Sequence, residues 1–576
     1  MKKRVLLSFI VFFMAWGTTQ ACTNFLVTPG ASFDGSSIVT YAADSHQLYG
    51  ELYFMPSADW VDDALLAIYE WDTGKYLGEI PQVSHTYQVV GNMNEHQVII
   101  GETTYTGISE LGSQDGAIID YGSLIYIALQ RSKTAREAIR VMADLVEKYG
   151  YYSTGESFSV ADKDEVWIFE LIGKGNYDKG AVWVALRVPD GYICAHANQA
   201  RITTFDYQEE NKWDDADATV FNSVDVISFA QDNDFYQGKD KDFSFSDVYA
   251  PVDFGGARFC EMRVWSFFKD VNADVKANTN YFAYAKGDVE HNDKFADGSK
   301  NPNKFASNRM PLWIKPDKKI KVDEVMNFMR DHLEGTDLDM SQGVGAGPYH
   351  KPYRWRGLVW EHNGTTYFNE RITATQQTGF SFVAQSRNWL PDPIGGIFWF
   401  GVDDAASSVY VPLYCGIKHA PEPFAEGNGS MMRWSETSAF WVFNQVSNLV
   451  YTRYDAIHPE VELIQQKLEK KYVAYTPVID NAAKTLYTQD ENLGLQFITD
   501  YSVNTSVALV DRWTELYHYL FMKYLDGNVK PSDNGHLIDN GYGTEIPKVT
   551  FPGYSEEFYQ LIIDESGDKF EYHGSH

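Results

Sequence analysis

The chain has 576 residues, a formal net charge of −31, 44% hydrophobic residues and 15% aromatic residues. That length holds several domain-sized units, since domains usually run about 100–200 residues, and the apolar content supplies a packed core and argues against disorder. The acidic surface repels phosphate backbones and anionic lipid, so nucleic acid and membrane surfaces are disfavoured as partners.

Lys2, Lys3 and Arg4 precede an apolar run from Val5 to Trp16, broken only by Ser8, which gives way to Thr19-Gln20-Ala21. This is the charged, apolar and small-residue order of a secretory signal peptide. The run is shorter than the ~20 residues that cross a bilayer, so it predicts a cleaved leader over residues 1–21 and no membrane span in the mature chain. Cleavage by signal peptidase after Ala21 predicts an exported protein, periplasmic or secreted, whose first residue is Cys22. A lipid-anchored cysteine is the alternative, although Thr19 and Gln20 poorly match the Leu and small residue that precede a lipidated Cys.

An N-terminal cysteine joins a thiol of pKa about 8.5 to an amine of about 7.7–8.0, so proton transfer between them is nearly isoenergetic. That is the logic of an N-terminal nucleophile (Ntn) hydrolase. The other cysteines, Cys194, Cys260 and Cys415, stand alone, with no Cys-x-x-Cys pair and no zinc-spaced histidine. No metal and no organic cofactor is expected. Buried free thiols are expected at these three positions, with a disulfide among them as the alternative.

In chain order, Cys22 to Val27 and Ser36 to Tyr41 read as a hairpin around Pro29-Gly30 and Asp34-Gly35. Its far end returns Asp44 toward Cys22, as a carboxylate to orient the new amine. Val98 to Thr104 is a strand ending in the polar Gly101-Glu102-Thr103-Thr104. Thr134 to Gly150 is an amphipathic core helix with a capping box. Four strands follow, at 158–161, 166–172, 181–188 and 192–195, and the last ends in His196-Ala197-Asn198-Gln199-Ala200-Arg201. Asn198 is a candidate oxyanion donor there.

Residues 205–254 read as a surface excursion, and residues 255–265 as an ordered element carrying Arg258 and Arg263. A loop is expected over 291–308, a helix over 322–333, and strands around 357–360, 380–384, 396–402 and 408–414. Helical spacing returns with Val461, Ile464, Leu468, Leu509, Trp513, Leu516 and Leu520. The domain expectation is a leader over 1–21, a catalytic domain with insertions over 22–450, and a helical C-terminal region over 451–576.

Several of these stretches together resemble the bacterial dipeptidase family of cysteine Ntn hydrolases, relatives of penicillin V acylase and bile salt hydrolase. The carriers are Cys22-Thr23, Asp44-Ser45, Gly101-Glu102-Thr103-Thr104, the run from His196 to Ile202, Asp331-His332-Leu333-Glu334-Gly335-Thr336, and Trp399 to Asp404 leading into Ser408 to Pro412. The resemblance implies an α+β fold, a four-layer αββα sandwich with an added helical C-terminal region.

It also implies Cys22 as nucleophile and amine base, Asp44 as amine-orienting carboxylate, Asn198 as oxyanion donor, and a site arginine at Arg258 or Arg263. The superfamily places an Asn near Thr103, which offers only a hydroxyl or a backbone N–H, and commonly an Arg where this chain has Tyr41. Hydrolysis of dipeptides is the implied reaction, with amide acylase activity or a lipidated cell-surface binding protein as alternatives. Homo-oligomer formation is left open.

Overall fold

The computed structural model describes residues 21–355 and 357–574. Residues 1–20 of the expected leader lie outside the described residues. Two antiparallel sheets organise the chain. The first has seven strands in the order Trp313–Ile314, Ile193–His196, Ala21–Val27, Ser37–Asp44, Thr378–Ser386, Ile397–Val402 and Val411–Tyr414. The second has eight, in the order Val220–Asn222, Ala181–Arg187, Val166–Gly173, Gly155–Ala161, Ile99–Tyr105, Met93–Asn94, Val89–Val90 and Phe54–Met55.

The near-continuous apolar runs follow from burial of both faces, with side chains alternating between them. On the eight-stranded sheet Ile168, Val182 and Val184 enter the core shared with the other sheet. Their neighbours Trp167, Phe169 and Trp183 pack instead with the helices Tyr121–Arg131 and Ala135–Tyr149. The seven-stranded sheet carries the helix Met262–Val271 on its other side, where Phe25 stacks on Phe267 at 4.2 Å. The fold is therefore α+β, with the two sheets face to face and helices outside both.

The structure adds one helix that the sequence did not announce and corrects three sequence expectations. The helix Tyr121–Arg131 had no amphipathic signature because eight of its eleven residues are buried, so no polar stripe marks it. Residues 205–254 are no surface excursion: they add the edge strand Val220–Asn222 and bury Phe243, Phe245 and Tyr249. The expected loop at 291–308 is a hairpin, His291–Lys294 with Lys300–Ala306, whose polar exposed faces gave no alternating pattern. The helix begun at Val322 ends at Phe328.

The C-terminal helices Tyr454–Gln489 and Glu491–Lys523 cover the edge strand Val411–Tyr414. Glu469 Oε1 accepts from the Tyr410 N–H at 2.9 Å, and Ser502 Oγ from the Tyr414 N–H at 3.3 Å. An edge strand that would otherwise invite pairing with another chain is thereby closed. Among the described residues no helix is long and apolar enough to cross a membrane.

Candidate active site

Alternation along Ala21–Val27 decides where the candidate nucleophile points. Thr23 and Phe25 face the helix Met262–Val271, through Arg263 and Phe267. Cys22 and Asn24 consequently face the opposite sheet, where Asn24 meets Ser159. Close approach of the sheets is permitted by Gly101, where a Cβ would lie 2.8 Å from Asn24 Nδ2 and 3.4 Å from Tyr41 Cβ. Cys22 lines a cavity of about 1220 Å³ whose wall also includes Asp44, Asp72, Tyr121, Asn198, Phe259 and Arg371.

Arg263, fully buried, is the arginine at Cys22. Its Nη1 donates to the Cys22 carbonyl at 2.5 Å and to Thr23 Oγ1 at 2.7 Å, and its Nη2 to the Ala197 carbonyl at 3.1 Å and Asn198 Oδ1 at 2.9 Å. Burial lowers its pKa to about 10, which leaves it charged at neutral pH. Arg258 instead grips Glu370 through two hydrogen bonds of 2.9 and 2.6 Å and stacks over Phe368.

Asn198 adopts φ 62°, a left-handed conformation that asparagine tolerates, just past the strand Ile193–His196. Its Oδ1 accepts from the Cys22 N–H at 3.0 Å, and its Nδ2 donates to the Thr104 carbonyl at 2.7 Å. The amide thus holds the Cys22 nitrogen through its oxygen and spends one of its two N–H donors on Thr104, while the side chain lines the cavity.

Asp44 ends the second strand opposite Ala21. One carboxylate oxygen accepts from Thr378 Oγ1 at 2.6 Å, and the other, also buried, has no hydrogen-bond partner among the described residues. Burial raises its pKa to about 7 against the pull of Thr378, Arg263 and Arg371.

Thr103 lies elsewhere: its hydroxyl meets His196 Nδ1 at 2.7 Å, and His196 Nε2 meets Ser159 at 2.8 Å. Burial lowers His196 to about 3, so it is neutral and structural. Thr103→Val is expected to reduce stability by about 1–3 kcal/mol, by stranding the buried imidazole nitrogen. Little change in turnover should accompany it, and thermal unfolding beside steady-state kinetics checks both halves.

Two residues absent from the sequence-derived candidates touch the thiol. Glu102 Oε1 is 3.6 Å and the Tyr41 hydroxyl 3.8 Å from Cys22 Sγ, and Tyr41 donates a short hydrogen bond to Glu102. The signal available was a charged residue inside an otherwise buried strand. Burial pushes the Cys22 thiol well above its usual range, with Glu102 and Asp44 pushing the same way, while the Asp44 backbone N–H and the Tyr41 hydroxyl oppose them. All four cysteines are buried and unpaired.

Comparison with known proteins agrees with a hydrolytic centre. The model of peptidase family C69 matches residues 63–467, a span that holds Glu102, Asn198 and Arg263 and begins after Cys22 and Asp44. A protein named "Probable dipeptidase" from Latilactobacillus sakei is 22% identical over 456 residues, covering 76% of this chain and 82% of that protein. Another of the same name from Salmonella dublin is 24% identical over 441 residues, covering 72% and 85%. "Dipeptidase A" of Lactobacillus helveticus is 22% identical over 533 residues, covering 87% and 98%. With well over half its length matched by the family model, the chain belongs to peptidase family C69 and is a hydrolase of the cysteine-peptidase type.

Proposed function

We propose that the chain is an exported dipeptidase in which Cys22, freed by signal peptidase, is both nucleophile and base. The fold assignment that goes with it is the four-layer αββα sandwich of Ntn hydrolases, with the helical region after residue 450 added to it. The observation that carries the reading is that the nitrogen and the sulfur of Cys22 sit together at one cavity, the nitrogen on Asn198 and the sulfur beside Tyr41. The dipeptidase names of the relatives supply the substrate class.

In this mechanism the free amine takes the thiol proton and the sulfur attacks the peptide carbonyl carbon. The resulting ammonium then protonates the leaving amine as the C–N bond breaks, giving a thioester. Water, losing a proton to the same amine, attacks the thioester, and the departing sulfur takes that proton back. Arg263 fixes the Cys22 carbonyl and Asn198 together, which holds the amine in line with the sulfur. A thiol raised so far by burial is not ionised on its own at neutral pH, so a base within reach is required.

The test is the mass of the mature N-terminal peptide, followed by assays on dipeptides, N-acylated dipeptides and bile-salt or penicillin-type amides. A free Cys22 and hydrolysis of plain dipeptides are expected. Diacylglycerol on Cys22 would replace the enzyme with a lipidated surface protein, and cleavage of acylated compounds alone would move the assignment to an acylase.

Asp44 gives a pH signature. While a residue precedes Cys22, folded Asp44 keeps its proton up to about pH 7, whereas in the unfolded chain it loses it near ~3.9. The native state binds more protons in that window, so stability falls as pH rises through it. A free Cys22 ammonium favours the carboxylate and removes the fall. Urea unfolding of the Ala21-bearing protein is therefore expected to weaken from about pH 4 to 7. The mature protein and the Ala21-bearing Asp44→Asn variant should both lack that component.

A further inference from the structure

We propose that the Tyr41–Glu102 pair is the receptor for the free α-ammonium of the substrate's N-terminal residue, which makes it the element that selects unblocked peptides. The inference rests on the dipeptidase reading and names which end of the substrate the site recognises.

The geometry comes from the substrate's own dimensions. In an aminoacyl group the α-nitrogen is about 2.5 Å from the carbonyl carbon. An attacking sulfur stands about 3–3.5 Å from that carbon. The ammonium of a bound dipeptide is therefore held within roughly 4–6 Å of Cys22 Sγ, whatever the side chains. The side-chain oxygens that hydrogen-bond the thiol there are the Tyr41 hydroxyl at 3.8 Å and Glu102 Oε1 at 3.6 Å, with Asp44 also acting on it. Because Tyr41 spends its hydrogen on Glu102, its oxygen lone pairs are left as acceptors beside the nucleophile. Tyr41 lines the cavity, and the Tyr41 ring is fixed between Phe380 and Phe382 at centroid distances of 5.8 and 5.7 Å.

The surrounding charges have the sign an ammonium needs. Glu156 adjoins Glu102, and burial raises the pKa of both; Glu102 pushes Glu156 up the further, so Glu102 is the member of the pair that gives up its proton first. On the cavity wall itself the carboxylates are those of Asp44 and of Asp72, which accepts from Tyr121 at 2.9 Å, with Asp253 further along it. Arg371 is the one basic side chain among the described lining residues, and it lies toward Asp44 and Cys260.

A carboxylate beside a thiol is otherwise a liability, because Glu102 raises the thiol's pKa and so opposes formation of the nucleophile. Bound ammonium cancels that field, so the thiol is easiest to ionise when the correct substrate is present. An acylated nitrogen brings no charge and adds bulk at the same place.

The experiment measures kcat/KM of the mature enzyme for a dipeptide and its N-acetyl derivative, in the wild type, Tyr41→Phe and Glu102→Gln. Wild type is expected to prefer the free amine by about 100-fold or more, as sites built around a substrate N–H do. In both variants kcat/KM for the free dipeptide should fall about 10- to 100-fold, the scale of a hydrogen bond to a charged group. The acetylated compound should not follow, so the preference collapses. Tyr41→Phe keeps the ring and its packing, which guards against a variant that merely fails to fold. Equal losses on both substrates, or an undiminished preference in both variants, would overturn the proposal. A wild-type enzyme that hydrolyses no free dipeptide would overturn instead the dipeptidase reading on which it rests.

Discussion

Placing a single glycine ahead of Cys22 in the mature chain is expected to lower kcat by about 10²–10⁴, the worth of a general base, with the fold intact. An amide nitrogen has no basic lone pair, so the sulfur loses its proton acceptor while every side chain stays in place. The fold should tolerate the addition, because Ala21 already occupies that position as the first residue of the strand, paired with Asp44. Near-UV circular dichroism and thermal unfolding should match the mature protein while dipeptide hydrolysis is lost. Equal activity of the two forms would show that the amine of Cys22 is not the base. Asp44→Asn should be milder, since the amide still accepts a hydrogen bond from the amine but lacks the charge that strengthens it.

Arg263→Met is expected to destabilise the protein by about 3–5 kcal/mol and to lower turnover by roughly 10²-fold. The stability loss follows from the acceptors left behind: the Cys22 and Ala197 carbonyls and Asn198 Oδ1 all receive hydrogen bonds from this one guanidinium. The turnover loss follows from geometry, because Cys22 and Asn198 are held relative to each other through it. Arg263→Lys keeps the charge but not the fork, so it should recover part of the stability and little of the rate. Arg258→Met supplies the control. It unpairs Glu370 and costs stability, yet it touches nothing at Cys22, so kcat should change far less. Denaturant unfolding and steady-state kinetics on the three variants separate the effects, and loss of rate in Arg258→Met equal to that in Arg263→Met would contradict the assignment.

The parts of the site that were legible in the sequence are those that local chain geometry decides. Cys22 and Asp44 are brought together by one hairpin, so turn residues and strand length suffice to pair them. Asn198 announced itself as an amide at a strand end, but which way it faces depends on the Thr104 carbonyl of the other sheet. Tyr41 and Glu102 stand on different sheets, and nothing local records that Gly101 lets them meet. The choice between Arg258 and Arg263 was equally opaque. Residues Gly256–Glu261 form a wider π-type turn ahead of the α-helix, so a regular helical wheel does not say which arginine faces Cys22. Thr103 shows the cost of a one-residue ambiguity in a strand, since its neighbour Glu102 reaches the thiol while Thr103 reaches His196.

On the proposed mechanism, the order in which this sheet can close decides when the Cys22 thiol becomes active. The Cys22 strand lies between Ser37–Asp44, available at once, and Ile193–His196, while Asp44 is held by Thr378, 334 residues further on. Arg263 must arrive as well, 241 residues after the carbonyl it binds. Such distant pairings make for slow, late assembly, because loop closure must precede the contacts that reward it. A chain still emerging during synthesis therefore carries Cys22 as an ordinary exposed cysteine, with neither its cavity nor its acidic partner strand in place. On the proposed mechanism, peptide hydrolysis at Cys22 begins only when the sheet is complete, so the growing polypeptide meets a thiol and not a protease.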